Sequence, residues 1–318
     1  MTKVFIGTSG WTYDGWRGRF YLETLRKSDW LTWYAGQFPT TEINGSFYRT
    51  PSLDAVRSWR DQTPRDFLFA WKASKFITHW KRLGETCPNS IELMGSRLKV
   101  LEPKVGAVLF QLPQQFSKNR DRLASFLEML PRGYRFAFEF RHKSWYDDDV
   151  LTLLHEHDVS LCLSDHHDAP SPWEVTARHV YVRGHGPTGR YKGNYSDRTL
   201  RAWADAIAGW RRQRRLVFVY FDNDQKSAAP ADANRSERIG CGGGAARQVS
   251  RSAAGMPGFD GGPRPFFALI DDPQECAQDL GNAESGRGRD DERRRLGSAF
   301  EQRRLPLQLL GRQRIGLA

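Results

Sequence analysis

The chain has 318 residues, 39% of them hydrophobic and 13% aromatic, with 48 Lys+Arg against 37 Asp+Glu and a formal net charge of +11. That length can bury one large α/β core or two ordinary ones, and the apolar share excludes wholesale disorder. No run of 18 apolar residues occurs, and the opening MTKVFIGTSGW lacks the layout of a signal peptide, so the expectation is a cytoplasmic protein with no membrane partner. Four cysteines (Cys87, Cys162, Cys241, Cys276) stand far apart without a CxxC pair, which argues against both a zinc knuckle and a disulfide framework.

In chain order, a strand is expected over 4–8, ending in Thr8-Ser9-Gly10-Trp11 with Tyr13 just beyond, and a helical pattern follows over 24–37. A second strand over 41–44 carries Glu42 and Asn44 and runs into Phe47 and Tyr48. Ser52 is a good cap for a helix over 53–61. The third strand, 67–72, ends at Lys72, with His79 in the loop beyond and a helix over 89–101. The fourth, 106–112, holds the almost continuously apolar AVLFQL and ends at Gln111; a helix over 119–130 comes next.

Strand five, 135–140, delivers Glu139, then Arg141, His142 and Trp145, ahead of a helix over 150–157. Strand six, 160–164, ends at Asp165-His166-His167. Strand seven, 179–183, gives Arg183 and His185, then Tyr191 and Tyr195, and Asp197 is the expected cap of a helix over 199–212. Strand eight, 216–221, ends in Asp222-Asn223-Asp224. Strand–helix alternation of this kind points to an α/β chain of the (β/α)8 TIM-barrel class. An open doubly wound sheet is the runner-up, but no GxGxxG or GxxxxGK[ST] follows the first strand.

Composition divides the chain near residue 234. All 11 Trp and all 10 Tyr lie before residue 221, and residues 235–318 hold 14 Arg, 14 Gly and no Lys. The first 234 residues carry 34 Lys+Arg against 26 Asp+Glu, a balance of +8. The domain expectation is therefore a barrel over 1–234 and a low-complexity Arg/Gly-rich tail over 235–318. The tail reads as disordered or as a shifted reading frame, against the alternative of a basic nucleic-acid-binding arm.

A barrel puts its chemistry where strands end. Glu42 and Glu139 are the candidate general acid and base, Lys72 with Arg141 and Arg183 would bind an anionic group, and His142 or His185 could move a proton near neutral pH. Ser9, Trp11, Tyr13, Asn44, Tyr48, Gln111, Trp145, Asp165, Tyr191, Tyr195 and Asn223 complete the candidate binding set, as loop aromatics beside cations suit a nucleotide or sugar-like ligand. Each has a plainer reading: an interior Glu–Arg pair can be purely structural, and loop rings can simply pack a cap over the mouth. His155 and His157 sit at a helix end and read as capping residues. No cofactor is certain. A divalent metal held by Glu42, Glu139, Asp165 and His185 is conceivable, while His166 and His167 read equally as ligands or as a solvated pair.

The segments GTSGWTYDGWRGRFY, EINGSFYRTP, LFQLP, FAFEFRHKSW, YVRGHG and YFDND resemble, in order, those of the YecE-like proteins, a bacterial group defined as a domain of unknown function. The resemblance covers residues 3 to 231 and implies a TIM barrel without naming a reaction. It implicates Gly7, Phe47 and most of the candidate positions above. Two departures stand out: Gln114 follows Leu112-Pro113 where the group shows a second proline, and the final helix expected after Ala228 dissolves into NRSERIGCGGG. Loss of that helix would leave strand eight uncovered and the barrel weakly stable. Three functions compete on this reading: an enzyme (hydrolase, lyase or isomerase) on a small anionic, nucleotide or sugar-like compound; a nucleic-acid-binding or endonuclease-like repair protein; and a non-catalytic ligand-binding barrel.

Overall fold

The computed structural model describes residues 3–241. Eight parallel strands, β1 (Val4–Thr8), β2 (Thr40–Ile43), β3 (Leu68–Lys72), β4 (Val105–Gln111), β5 (Phe136–Glu139), β6 (Ser160–Ser164), β7 (His179–Gly184) and β8 (Leu216–Phe221), run in the order β1-β8-β7-β6-β5-β4-β3-β2. Among the described residues seven α-helices accompany them: α1 (Trp30–Ala35), α2 (Leu53–Asp61), α3 (Pro88–Leu101), α4 (Arg120–Glu128), α5 (Asp148–Glu156), α6 (Asp197–Arg212) and α7 (Ala228–Cys241). This is the expected α/β TIM-barrel class, nearly closed. At the seam between β1 and β2, Ser9 bridges Glu42 and the Thr41 hydroxyl donates to the Thr8 carbonyl at 3.1 Å. Gly7 makes that approach feasible, because a Cβ there would lie 2.1 Å from the Thr40 carbonyl oxygen.

Local chemistry explains most element ends. Ser52 caps α2 by accepting from the Ala55 amide at 3.2 Å, as the sequence predicts. At α6 the cap is Ser196, accepting from the Thr199 amide at 3.2 Å, and the expected cap Asp197 is the first helical residue, where its charge suits the dipole. The helix expected over 24–37 shrinks to α1, since Arg17 and the Trp30 indole both take the Leu25 carbonyl (3.1 and 3.3 Å) and hold the preceding chain out of helix. Between β6 and β7 there is no helix among the described residues. Pro170 and Pro172 disfavour one, and the loop lies along β6 instead, Thr176 and Ser171 hydroxyls accepting from the Leu161 and Ser164 amides at 2.7 and 2.8 Å.

The expectation that the last helix dissolves is corrected. α7 forms and packs on β1 and β8. Its buried face is Ala229, Asp232, Ala233 and Ser236, a stripe too small and polar to register as hydrophobic periodicity. The 234/235 boundary drawn from composition therefore falls inside a helix. Residues beyond 241, on which the reading of an Arg/Gly-rich tail rests, lie outside the described residues.

Inside the barrel, period-2 alternation fills the lower layers with Phe5, Ala70, Ala107, Leu109, Ala137, Cys162, Tyr181, Phe218 and Tyr220. Two positions further along the same strands, Ala70 gives way to Lys72, Ala137 to Glu139, Cys162 to Ser164, Tyr181 to Arg183 and Tyr220 to Asp222. One face of each of these five strands thus changes from apolar filler to a polar or charged side chain at the C-terminal end.

Candidate functional site

Arg183 is the hub of that upper layer. Fully buried at the end of β7, its Nη1 donates to Glu139 Oε2 at 2.8 Å, and its Nη2 donates to Glu42 Oε1 at 2.9 Å, Asp222 Oδ2 at 2.8 Å and Ser9 Oγ at 3.0 Å. Glu42 is further held by Ser9 at 2.5 Å and by the Tyr181 hydroxyl at 2.7 Å. Arg141 pairs with the other oxygen of Glu139 at 2.7 Å, which also accepts from Ser164 at 3.1 Å. Burial alone would raise the Glu139 pKa, but Arg141 and Arg183 hold it well below the usual carboxylate range. Glu42 and Glu139 therefore share one guanidinium. They are not a pair with a free acid on one side and a free base on the other.

His185 is wired into the same layer. Its amide donates to Asp165 Oδ1 at 2.7 Å, and Nδ1 lies 3.3 Å from that oxygen. The network assigns the ring proton to Nδ1, so that Nε2 accepts from Arg141 at 3.1 Å and Arg183 at 3.2 Å. The Tyr195 hydroxyl donates to Asp165 Oδ2 and accepts from the Gly186 amide at 2.7 Å, fixing the carboxylate. Tyr191, partly exposed at the rim, accepts from Arg141 Nη1 at 2.9 Å.

Lys72 behaves differently from the two arginines. Its Nζ donates to Asn44 Oδ1 at 3.1 Å and lies 4.7 Å from the Phe47 ring centroid, yet it makes no ion pair among the described residues. An ammonium has three donors, so part of its capacity is open. Burial and the neighbouring Arg183 push its pKa down to about 8, against the partial support of Glu42, Asp222 and Glu139. Tyr13 borders the same corner, donating to the Ser9 carbonyl at 2.6 Å, and burial raises its pKa.

Other expected residues stand elsewhere. Trp145 is fully buried, stacked on Phe140 at 4.9 Å, with its indole nitrogen on the Phe116 carbonyl at 2.6 Å. Trp11 packs edge-on against Trp59 at 5.5 Å in the layer between strands and helices. Both are core aromatics, not ligand platforms. His142 caps a short turn, its Nδ1 accepting from the Ser144 amide at 3.2 Å. Asn223 is buried on Gly193 and Asp232 (2.7 and 2.8 Å) and ties β8 to α7. Gln111 is half-buried at the end of β4, and Tyr48 stands 67% exposed at the rim. Sequence reasoning missed Asp222, Ser164 and Tyr181 as members of the charged layer, although strand parity points to all three.

The four-residue metal constellation does not fit. Arg183 already supplies the positive charge between Glu42 and Glu139, and their oxygens are filled by protein donors. Among the described residues, one group of three ligand-bearing side chains, His166, His167 and Asp168, brings its atoms within 4.8 Å of one another. His155 and His157 lie at the end of α5, as expected, with His157 Nδ1 donating to the Leu153 carbonyl at 2.9 Å.

No helix among the described residues is long and apolar enough to cross a membrane. The chain is 29% identical over 168 residues to the UPF0759 protein YecE of Escherichia coli, a match covering 51% of this chain and 59% of that protein. It is 26% identical over 254 residues to YunF of Bacillus subtilis, covering 70% of this chain and 89% of that one. The crystal structure of a DUF72 family protein from Thermotoga maritima superposes with a TM-score of 0.68 at 26% identity, over 74% of this chain and 98% of that one. An Enterococcus faecalis DUF72 protein shares the fold at TM-score 0.64 and 19% identity, over 75% and 95%. The family model described as "Protein of unknown function DUF72" matches residues 5–241, and the chain belongs to that family.

Proposed function

We propose that the barrel mouth is the active site of a lyase or isomerase in which the Lys72 amine reacts with the carbonyl of a small anionic compound. One observation carries this reading: a buried lysine at a strand end, without an ion pair among the described residues and with its pKa pushed down to about 8. Desolvation and a neighbouring cation are what make a lysine nucleophilic near neutral pH. In the first step the Nζ lone pair adds to the carbonyl carbon. After proton transfer water leaves, and the protonated imine draws electrons from the adjacent carbon, so that a C–H or C–C bond there can break. Hydrolysis of the imine returns the amine. Asn44 would orient Nζ, while burial and the Arg183 guanidinium beneath it keep the amine poised against the opposing pull of the carboxylates.

The charge arrangement argues against hydrolysis by a split carboxylate pair. Glu139, held well below the usual range, stays ionised and has no proton to give. A carbonyl substrate carrying carboxylate or phosphate suits the mouth, where Lys72, Arg141, Lys75 and Arg82 all act on His79 and, after burial, drive its pKa down to about 4.

The test is reductive trapping. The protein is incubated with cyanoborohydride and a panel of 2-oxo acids, hydroxyaldehydes and hydroxyketones, and adducts are mapped by peptide mass spectrometry. The expected outcome is a dominant adduct on Lys72 with one compound class, absent in Lys72→Arg. Adducts spread over exposed lysines such as Lys3 and Lys192, with Lys72 unmodified throughout, would overturn the assignment.

A further inference from the structure

The loops after β2 and β3 carry exposed rings that amine chemistry leaves unused. Tyr48 follows β2, and a π-helical turn, Phe76–Trp80, follows β3. Tyr48 and Trp80 are each 67% exposed and Phe76 is 36% exposed, while most other large rings of the barrel are buried. Such a cluster on a folded surface is uncommon without a partner. Lys75 lies between two of the rings, its Nζ 5.6 Å from the Tyr48 centroid and 5.4 Å from that of Trp80. Lys81 lies 5.3 Å from Phe76, and Phe76 meets Trp80 edge-on at 5.8 Å. Lys75, Lys81 and the exposed Arg82 form no ion pair among the described residues. The patch continues inward, Tyr48 against Phe47 at 5.1 Å and Phe47 under Lys72.

Exposed ring faces interleaved with unpaired cations define a ligand with flat groups and repeated negative charge. A sugar platform would set carboxylates or amides beside its rings to receive hydroxyls, and this patch sets lysines there. An apolar peptide would leave those lysines without partners. We propose that the rim of Tyr48, Lys75, Phe76, Trp80 and Lys81 is a docking site for single-stranded nucleic acid, with bases stacked on the rings and phosphates on the lysines. The barrel portion, with 34 Lys+Arg against 26 Asp+Glu, has the sign that such a partner needs.

The test uses the full chain and a labelled oligothymidylate of about 12 nucleotides. Residues 235–318 hold 14 Arg, so bare affinity is not diagnostic and the comparison is between variants. Binding is read by anisotropy and by quenching of tryptophan fluorescence. Trp80→Ala is expected to weaken binding about tenfold, since one stacked base is worth about 1–3 kcal/mol. The double change Lys75→Gln, Lys81→Gln is expected to lower the salt slope by about 1.4. No binding at low salt, equal affinity in Trp80→Ala, or equal binding of inorganic polyphosphate without quenching would each overturn the proposal, as would preferential binding of anionic lipid vesicles. Oligonucleotide binding without any Lys72 adduct would sink only the amine chemistry, and the adduct without oligonucleotide binding would sink only this surface.

Discussion

At the scale of the residue, Arg183 decides how the mouth is built. Three carboxylates, Glu42, Glu139 and Asp222, meet one guanidinium that is fully out of water. Such an arrangement adds little net stability over an apolar filling, but removing one side of it leaves charge buried and unpaired. Arg183→Met should cost about 3–5 kcal/mol in urea unfolding at neutral pH. The loss should shrink toward pH 5, where the orphaned carboxylates can take up protons. A loss under about 1 kcal/mol, constant with pH, would show the carboxylates to be solvated. The wild-type Glu139 works in the opposite sense. Its folded pKa is depressed, so its stabilisation is present above the unfolded value and disappears as pH falls through the folded one.

At the scale of the element, the strands were the legible part. β1, β6 and β8 match their sequence boundaries to the residue; β1 and β8 are short runs rich in β-branched and aromatic residues bounded by polar ones, and β6 shows the period-2 alternation of SLCLS. α7 was illegible for a specific reason. It is seated by alanines and by Asp232, which accepts from the Tyr195 amide at 3.1 Å, from Asn223 at 2.8 Å, from Asn194 at 3.2 Å and from Arg235 at 3.0 Å. No count of hydrophobic residues registers a helix held by hydrogen bonds. Asp232→Ala should therefore destabilise the barrel by at least about 2 kcal/mol, as it strands several buried donors. A thermal midpoint unchanged from wild type would mean that α7 is held by packing alone.

At the scale of the whole molecule, the site was legible as a place and less so as a set of roles. A barrel collects strand-end residues on one face, which is why Glu42, Lys72, Glu139, Arg141, Arg183 and His185 could be gathered from the sequence. Which of them would neutralise one another depends on distances across the barrel that no spacing along the chain encodes. The same holds for Trp11 and Trp145, whose loop positions do not tell that they face inward to the core. The fold places two arginines and two glutamates in mutual contact and leaves one lysine aside. Most of the buried charge is neutralised within the protein, and the exception is where the proposed reactivity lies.

Lys72 also carries a signed pH dependence. Its folded pKa, about 8, lies below the ordinary 10.5, so between those values the unfolded chain holds a proton that the folded chain has released. Stability contributed by this group is therefore lowest below pH 8 and rises with pH up to the unfolded value. The direct test is an NMR titration of the lysine side chains with Lys72→Arg as the assignment control. A resonance missing from the variant and titrating near pH 8 is the predicted result; one titrating with the bulk lysines near 10.5 would contradict the proposed chemistry at its root.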